Sequence, residues 1–451
     1  MPPIISVSGL RGVIGESLTP DVACRYVAAF AGELPEGRVL VTRDGRATGP
    51  MLADAVRSAI AAAGRTPLDG GVAATPTAGV LVQQHGCVGG VQISASHNPP
   101  EYNGLKLFGG DGRILPAAVG AAVKERYETG DIAHAAHDGV GAAEALDDTI
   151  GEHLRRVLAI VDAERIAARG FRVLLDSNHG SGSVLGRPLL AALGCDVTVL
   201  GDTPDGHFAH PPEPTEANLA GVASEAKEAA SPGGAYDVVF CQDPDADRLA
   251  IIDGAGRYLG EELTLALCVD HQLRHKLGPV VSNCSSSRVT RDLAEKHGAA
   301  FSQSPVGEAN VVDAMLACGA VLGGEGAGGV IHPDVVLVRD SFVGMAMTLD
   351  AMAARGASLA DLADELPRYA IHKAKAALPP ERLAAALDAL EQHFDAAVAT
   401  RPDGLRLDWP DERKWLLVRA SNTEPIVRLI AEAPEADAAA AVCAEAGRVI
   451  A

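Results

Sequence analysis

The sequence predicts an α/β protein: three successive α/β units followed by a smaller α+β unit. Three observations predict it. Short apolar, strand-like runs alternate with segments of helical period, the pattern that βαβ units with parallel strands produce. That rhythm starts afresh twice, and the last stretch replaces it with Ala- and Leu-rich helices and two longer strands. A chain of 451 residues is also too long for one compact core and leads one to expect about three domains.

In the first unit, Thr19, Pro20 and Asp21 supply an N-cap, a proline at the first helical position and an acid in the first turn, and apolar residues then recur at helical spacing to Leu34. Residues 38–42 (RVLVT) read as a strand, 50–63 as a helix closed by Gly64, and 77–84 as a helix before the strand VGGVQIS, which ends at Ser94. The second unit follows with residues 171–176 (FRVLLD), a glycine-rich turn, a helix to Leu193, CDVTVL and residues 236–243 (YDVVFCQD). The third opens on a hairpin around Asp253 and Gly254, continues through a helix and PVVSN, and ends near residue 365. The tail offers helices over 380–394 and 435–447 and the strands WLLVRAS and PIVRLIAEA. The expected divisions are 1–145, 146–252, 253–365 and 366–451.

Composition narrows the function. There are 38 basic and 59 acidic residues, a net charge of −21, so no long-range pull toward nucleic acid or anionic membrane is expected. A phosphorylated ligand would need Arg, Lys and backbone N–H groups gathered in one pocket. Eight cysteines are scattered without a CxxC pair, which fits reduced thiols in a cytoplasmic protein rather than a zinc site or a disulfide framework. The N-terminus lacks a basic region followed by an apolar stretch, and no run approaches the roughly 18 apolar residues of a membrane span. With 4% aromatic residues, the core is expected to be mainly aliphatic.

Four segments carry the residue types that chemistry needs. SASHNPPEYNGLK (94–106) follows a predicted parallel strand, at the sheet edge where α/β proteins bind ligands. Ser96 and Asn98 would equally serve as turn formers there, and without a GxSxG elbow a serine hydrolase is excluded. In the QDPDADR segment, Asp243, Asp245 and Asp247 alternate in a loop and can converge on one hard divalent cation, with Arg248 free to face a phosphate. Arg248 and Gly254 occupy the positions where an EF-hand requires glycine and glutamate, so calcium sensing is rejected; a solvated acidic loop remains the plain alternative.

GGEGAGG (323–329) matches a dinucleotide fingerprint, but Val330, Ile331, His332 and Pro333 do not open a helix to receive a pyrophosphate. A flexible loop presenting the Glu325 carboxylate to sugar hydroxyls, or a plain tight turn, fits instead. RASNTEPIVR (419–428) is a donor-rich loop suited to a dianionic phosphate, or a surface turn whose arginines pair with acids.

In this order and across nearly the whole chain, the four segments resemble the α-D-phosphohexomutase superfamily of phosphoglucomutases, phosphomannomutases and phosphoglucosamine mutases. The resemblance implies three related α/β domains and a smaller C-terminal domain around a central cleft. It implies that Ser96 is the serine phosphorylated in the active enzyme. Asp243, Asp245 and Asp247 would then bind Mg²⁺ with the phosphoserine, and Glu325 would read sugar hydroxyls. Arg419, Ser421, Asn422, Thr423 and Arg428 would hold the non-reacting phosphate. Arg11, His97, Lys106 and Arg248 match residues around the transferred phosphate, with Lys106 the candidate for proton handling.

The implied reaction interconverts hexose 6-phosphate and hexose 1-phosphate through a 1,6-bisphosphate, which also serves as activator. The partners are small sugar phosphates, and the chain is expected to be a monomer or homodimer. Two positions depart from the pattern: Ala327 stands where the family usually has Ser or Asn, and Asn422 where Gly is common. ISASHNP, NPPEYNGLK and GGEGAGGVIHPD resemble the phosphoglucosamine mutase branch, with glucose and mannose phosphates as the alternative substrates. A bisphosphate phosphatase and a non-catalytic sugar-phosphate regulator are the readings of another kind.

Overall fold

The computed structural model describes residues 3–6, 9–228, 236–395, 397–420 and 426–450. Four sheets organise these residues. The first runs, in spatial order, Ile4–Ser6, Gly9–Val13, Tyr102–Gly109, Gly89–Ile93, Arg38–Arg43, Thr66–Val72 and Glu144–Ala145. The second runs Tyr258–Gly260, Leu249–Asp253, Val238–Gln242, Arg172–Asp176 and Asp196–Leu200, and the third Phe301–Ser304, Val280–Asn283, Leu322–Glu325 and Gly329–Ile331. The fourth, Ala370–Ala377, Ile426–Ala433, Lys414–Ala420, Leu405–Trp409 and Val398–Thr400, is antiparallel throughout.

The helices fall where caps and periodicity place them. Pro20–Gly32 has its proline in the first turn and buries Tyr26, Val27 and Phe30 on one face. Gly49–Ala62 and Thr75–Gln84 also begin with proline in the first turn. The first three sheets and their helices share a continuous aliphatic core that includes Leu40, Val173, Leu175, Leu265 and Leu349. The C-terminal unit has its own core around Leu390, Leu405 and Leu429, and meets the third unit through Cys284, Trp415 and Leu417.

Three expectations are corrected. The α/β sheets are mixed rather than parallel, because each ends its parallel run in an antiparallel hairpin: Gly89–Ile93 with Tyr102–Gly109, Val238–Gln242 with Leu249–Asp253, and Leu322–Glu325 with Gly329–Ile331. Glu325 therefore ends a strand at a tight hairpin, with Gly328 at φ +77°, and does not sit in a flexible loop. A division after residue 252 would cut the strand Leu249–Asp253, which pairs onward with Tyr258–Gly260; the second sheet extends to Gly260. All eight cysteines are free thiols. No helix among the described residues is long and apolar enough to cross a membrane.

Candidate active site

The three α/β hairpins bring their connections together. In the first, Ser96 has the left-handed backbone φ of +50°, a conformation that costs a non-glycine residue about 1–2 kcal/mol. Arg46 holds it there. Its guanidinium is buried, donating from Nη2 to the carbonyls of Ser96 (2.7 Å) and Asn98 (2.6 Å) and from Nη1 to those of Pro99 (2.8 Å) and Tyr102 (2.9 Å). Asp44 accepts from Arg46 Nε and from Ser94 Oγ, which in turn accepts from the Ser96 N–H at 2.8 Å. Phe208 of the second unit stacks on the guanidinium, 5.0 Å from ring centroid to Cζ. The loop is thus braced from behind, and Ser96 Oγ donates to Asp243 Oδ2 at 2.6 Å.

Asp243, Asp245 and Asp247 are buried, with ligand oxygens all within 4.8 Å of one another. Asp243 Oδ1 accepts from the N–H groups of Asp247 and Arg248, each at 3.1 Å, and Ala246 takes φ +55° to close this turn. Burial, reinforced by the two neighbouring carboxylates, raises the Asp243 carboxyl well above its usual range. Burial works the same way on Asp245 and Asp247, but cations outweigh it and hold both below that range: Lys106 at Asp245, and Arg339 and Lys106 at Asp247.

The contacts are Lys106 Nζ to Asp245 (2.5 Å) and Asp247 (2.8 Å), Thr75 Oγ1 to Asp245 (2.5 Å) and Arg339 Nη2 to Asp247 (2.6 Å). All of them fall on the Oδ2 atoms. Asp245 Oδ1 and Asp247 Oδ1 stay buried with no hydrogen-bond partner. Two orphaned anionic oxygens beside Asp243 and a serine hydroxyl are an all-oxygen donor set that fits a hard divalent cation such as Mg²⁺.

A cavity of about 400 Å³ opens beside this cluster, lined among others by Arg11, His97, Lys106, Arg248, Glu325 and Arg339. Arg11 Nη1 donates to Asn98 Oδ1 at 3.2 Å. Burial, helped by Arg248 and Arg11, pushes His97 down to about 3, so its ring is neutral at ordinary pH; Nδ1 lies 3.3 Å from Ser96 Oγ. Arg248 Nε is buried without a hydrogen-bond partner. Glu325 is held on both oxygens, by Asn283 Nδ2 (2.7 Å) and the Gly307 N–H (3.2 Å) on Oε1 and by Arg339 Nη1 (2.7 Å) on Oε2. Ala327 sits half-buried in the turn beyond it.

Ser421, Asn422 and Thr423 lie outside the described residues. Their flanks carry information. Arg428 stands directly opposite Arg419 on one side and Lys375 on the other, so three cations line up on one face of the fourth sheet. Arg419 Nε is 2.9 Å from Asp403. Like charges in register repel, and an anion above them would relieve that repulsion.

The structure thus gathers Ser96, His97, Lys106, Arg11, the three aspartates, Arg248 and Glu325, and adds residues that sequence reasoning missed: Arg46, Thr75, Asn283, Glu308, Arg339 and Lys375. The RDGR string at residues 43–46 was legible only as a strand end. No local pattern marks the other five.

This fold and this site define an enzyme of phosphosugar isomerisation. Models of the phosphoglucomutase/phosphomannomutase α/β/α domains I, II and III and of the C-terminal domain match residues 4–134, 151–256, 261–369 and 373–448. Two proteins of Thermococcus kodakarensis are similar over nearly the full length. A phosphoglucomutase/phosphomannomutase is 36% identical, covering 94% of this chain and 93% of the relative, and a probable phosphoglucosamine mutase is 31% identical, covering 98% and 97%. A phosphoglucomutase/phosphomannomutase family protein of Burkholderia thailandensis superposes with a TM-score of 0.86 at 27% identity, covering 99% of this chain and 96% of that one. The chain belongs to the phosphoglucomutase/phosphomannomutase family of the α-D-phosphohexomutases, and it is a phosphohexomutase.

Proposed function

We propose that phospho-Ser96 exchanges its phosphoryl group with either end of a hexose phosphate, interconverting the 6-phosphate and the 1-phosphate through a 1,6-bisphosphate. The observation that carries this reading is Ser96 Oγ at 2.6 Å from Asp243, beside the orphaned oxygens of Asp245 and Asp247. Asp243, Asp245, Asp247 and the phosphoserine would hold Mg²⁺, whose charge favours transfer of a phosphoryl group. In the transfer, the bond from phosphorus to Ser96 Oγ breaks as the bond to a sugar hydroxyl oxygen forms. The serine oxygen gains a proton and the hydroxyl loses one. Lys106 is the group we assign to this proton, and Arg11, Arg248 and neutral His97 contact the moving phosphate.

Glu325 accepts hydrogen bonds from sugar hydroxyls. Arg419 and Arg428, with the loop Ser421, Asn422 and Thr423, hold the other phosphate; Lys375, in register with them, adds to that cluster. Because the bisphosphate must turn end over end, both ends of the sugar meet the same two groups of residues.

For the sugar itself, the ISASHNP string favours glucosamine phosphate. The relative at 36% identity, named phosphoglucomutase/phosphomannomutase, favours glucose and mannose phosphates. The test compares kcat/KM of the Mg²⁺-loaded protein on glucosamine 6-phosphate, glucose 1-phosphate and mannose 1-phosphate, each with its 1,6-bisphosphate. A preference of about tenfold, about 1.4 kcal/mol, for glucosamine phosphate supports the first reading, and the reverse preference establishes the second. Ser96→Ala should abolish turnover on every sugar while the protein stays folded; full activity in that variant would remove Ser96 from its role.

A further inference from the structure

Between the strand Gly329–Ile331 and the helix Ser341–Arg355 the chain places Arg339 and Asp340, neither singled out by any local pattern. Asp340 pins this point. Its Oδ1 caps the helix, accepting from the N–H groups of Phe342 (2.9 Å) and Val343 (3.3 Å), and its Oδ2 lies 2.7 Å from His153 Nε2. His153 Nδ1 is 2.9 Å from Thr77 Oγ1, so helices of the first and second domains meet directly behind Arg339 in a buried knot.

Arg339 spreads its guanidinium over three separate segments. Nη2 donates to Asp247 at 2.6 Å, Nη1 to Glu325 at 2.7 Å and Nε to Glu308 at 3.1 Å, while its own N–H donates to Glu308 at 3.0 Å. The side chain is only 12% exposed. Only a planar fork with donors on three nitrogens can satisfy that geometry; a lysine ammonium has the charge but not the shape. The Asp247 oxygen it takes is Oδ2, which leaves Oδ1 turned toward the other aspartates.

We propose that Arg339 is a positioning residue that ties the sugar reader Glu325 to the metal-binding carboxylate Asp247, with Glu308 steadying the guanidinium from the far side. This rests on the roles given above to Glu325 and Asp247. Its value to the reaction follows from the turning intermediate. Each half-reaction must present a different sugar hydroxyl at the same phosphorus, so the distance between the hydroxyl reader and the phosphoryl site has to be fixed. A displacement near 1 Å there can cost about 100-fold in rate.

The experiment uses full-length Arg339→Lys and Glu308→Gln, with two readouts. One is the ratio of kcat/KM for the preferred sugar phosphate to that for its 3-deoxy analogue. The other is the Mg²⁺ dissociation constant by calorimetry on unphosphorylated protein. Wild type should prefer the parent sugar by about 100-fold. Arg339→Lys should bring that ratio to within about threefold of unity and weaken Mg²⁺ by about 10–100-fold, as loss of a group that orients a metal ligand does. Glu308→Gln, which touches neither ligand, should move both readouts the same way by less, and it carries the test if Arg339→Lys does not fold.

A folded Arg339→Lys with wild-type discrimination and wild-type Mg²⁺ affinity would overturn the proposal and leave Arg339 a packing residue. Wild-type protein that accepts the deoxy sugar equally would overturn the role of Glu325 instead, a failure visible before any variant is made.

Discussion

Two regions of this protein bury carboxylates, and they satisfy them in opposite ways. At the meeting of the first and second domains, Asp243, Asp245 and Asp247 are held by cations from elsewhere, Lys106 and Arg339, and two of their oxygens have no partner. At the meeting of the third and fourth domains, Glu432 accepts from Ser287 Oγ, from the Arg288 N–H at 2.9 Å and from Trp415 Nε1 at 2.6 Å. Arg406, buried against the Trp415 ring, donates to the Cys284 carbonyl in the same junction. Each Glu432 contact is a neutral donor, and both its oxygens are engaged. A cluster of acids is therefore not by itself a metal site; orphaned oxygens facing one another make one, and a carboxylate surrounded by N–H and O–H groups is a structural rivet.

The sharpest break of this comparison is a matched pair of amides. Asp245→Asn should lower kcat/KM by about 1000-fold, about 4 kcal/mol of transition-state stabilisation, and abolish Mg²⁺ binding while the melting temperature holds or rises, because a repulsive charge has gone. Glu432→Gln should do the reverse, keeping Mg²⁺ affinity and losing about 1–3 kcal/mol of stability. Calorimetric Mg²⁺ titration and thermal melts of the two variants decide it. Mg²⁺ binding that survives in Asp245→Asn would place the ion elsewhere.

A second prediction concerns how the serine is presented. Arg46→Met leaves four carbonyls of the Ser96 loop without their donor and Asp44 without its cation, so it should cost about 3–5 kcal/mol of stability. Arg46→Lys should fold better but still let Ser96 leave its left-handed conformation, lowering kcat by about 100-fold with little change in KM. Steady-state kinetics of Arg46→Lys checks this; an unchanged kcat would show that the loop holds its own shape.

What the sequence discloses follows the same division. Ser96, His97, Asp243, Asp245, Asp247 and Arg248 were legible because each group is contiguous in the chain and lies on one hairpin connection, so local spacing and family resemblance both reach it. Arg339 was not, because its partner Asp247 is 92 residues away and the VRD string that holds it has no period of its own. The strand Tyr102–Gly109 was read as a loop in part because Asn103 and Gly104 suggest a turn. In the sheet, a Cβ at Gly104 would lie 2.7 Å from the carbonyl oxygens of both Leu10 and Ser94, so close strand packing rather than a turn requires the glycine. The mixed sheets were missed for a related reason: an antiparallel partner that follows a functional loop has the same apolar pattern as a parallel strand.

At the domain junction a smaller effect separates packing from charge. Trp415→Phe keeps a ring for Arg406 to stack on and removes only the N–H that Glu432 accepts. It should cost about 1 kcal/mol, less than Glu432→Gln, with Mg²⁺ affinity unchanged. A loss as large as that of Glu432→Gln would mean that Trp415 alone carries the rivet.

The smallest effect is a pH dependence beside the same junction. Glu262 accepts from the Ser287 N–H at 2.9 Å, and burial, partly countered by that bond, pushes its carboxyl up to about 8 from 4.5. Between those values the folded protein holds a proton that the unfolded chain has released, so this group's contribution to stability is full below about pH 4.5 and is lost as pH rises through 8. Glu262→Gln mimics the protonated form at every pH. Its melting temperature should match wild type near pH 5 and exceed it at pH 8.5 by a few degrees, about 2–4 °C for each kcal/mol recovered. The three aspartates fall in the opposite sense only where Lys106 and Arg339 hold them ionised. Melting curves of the two proteins that stay parallel from pH 5 to 8.5 would show that Glu262 is ionised in the fold, and that this junction too depends on a charge.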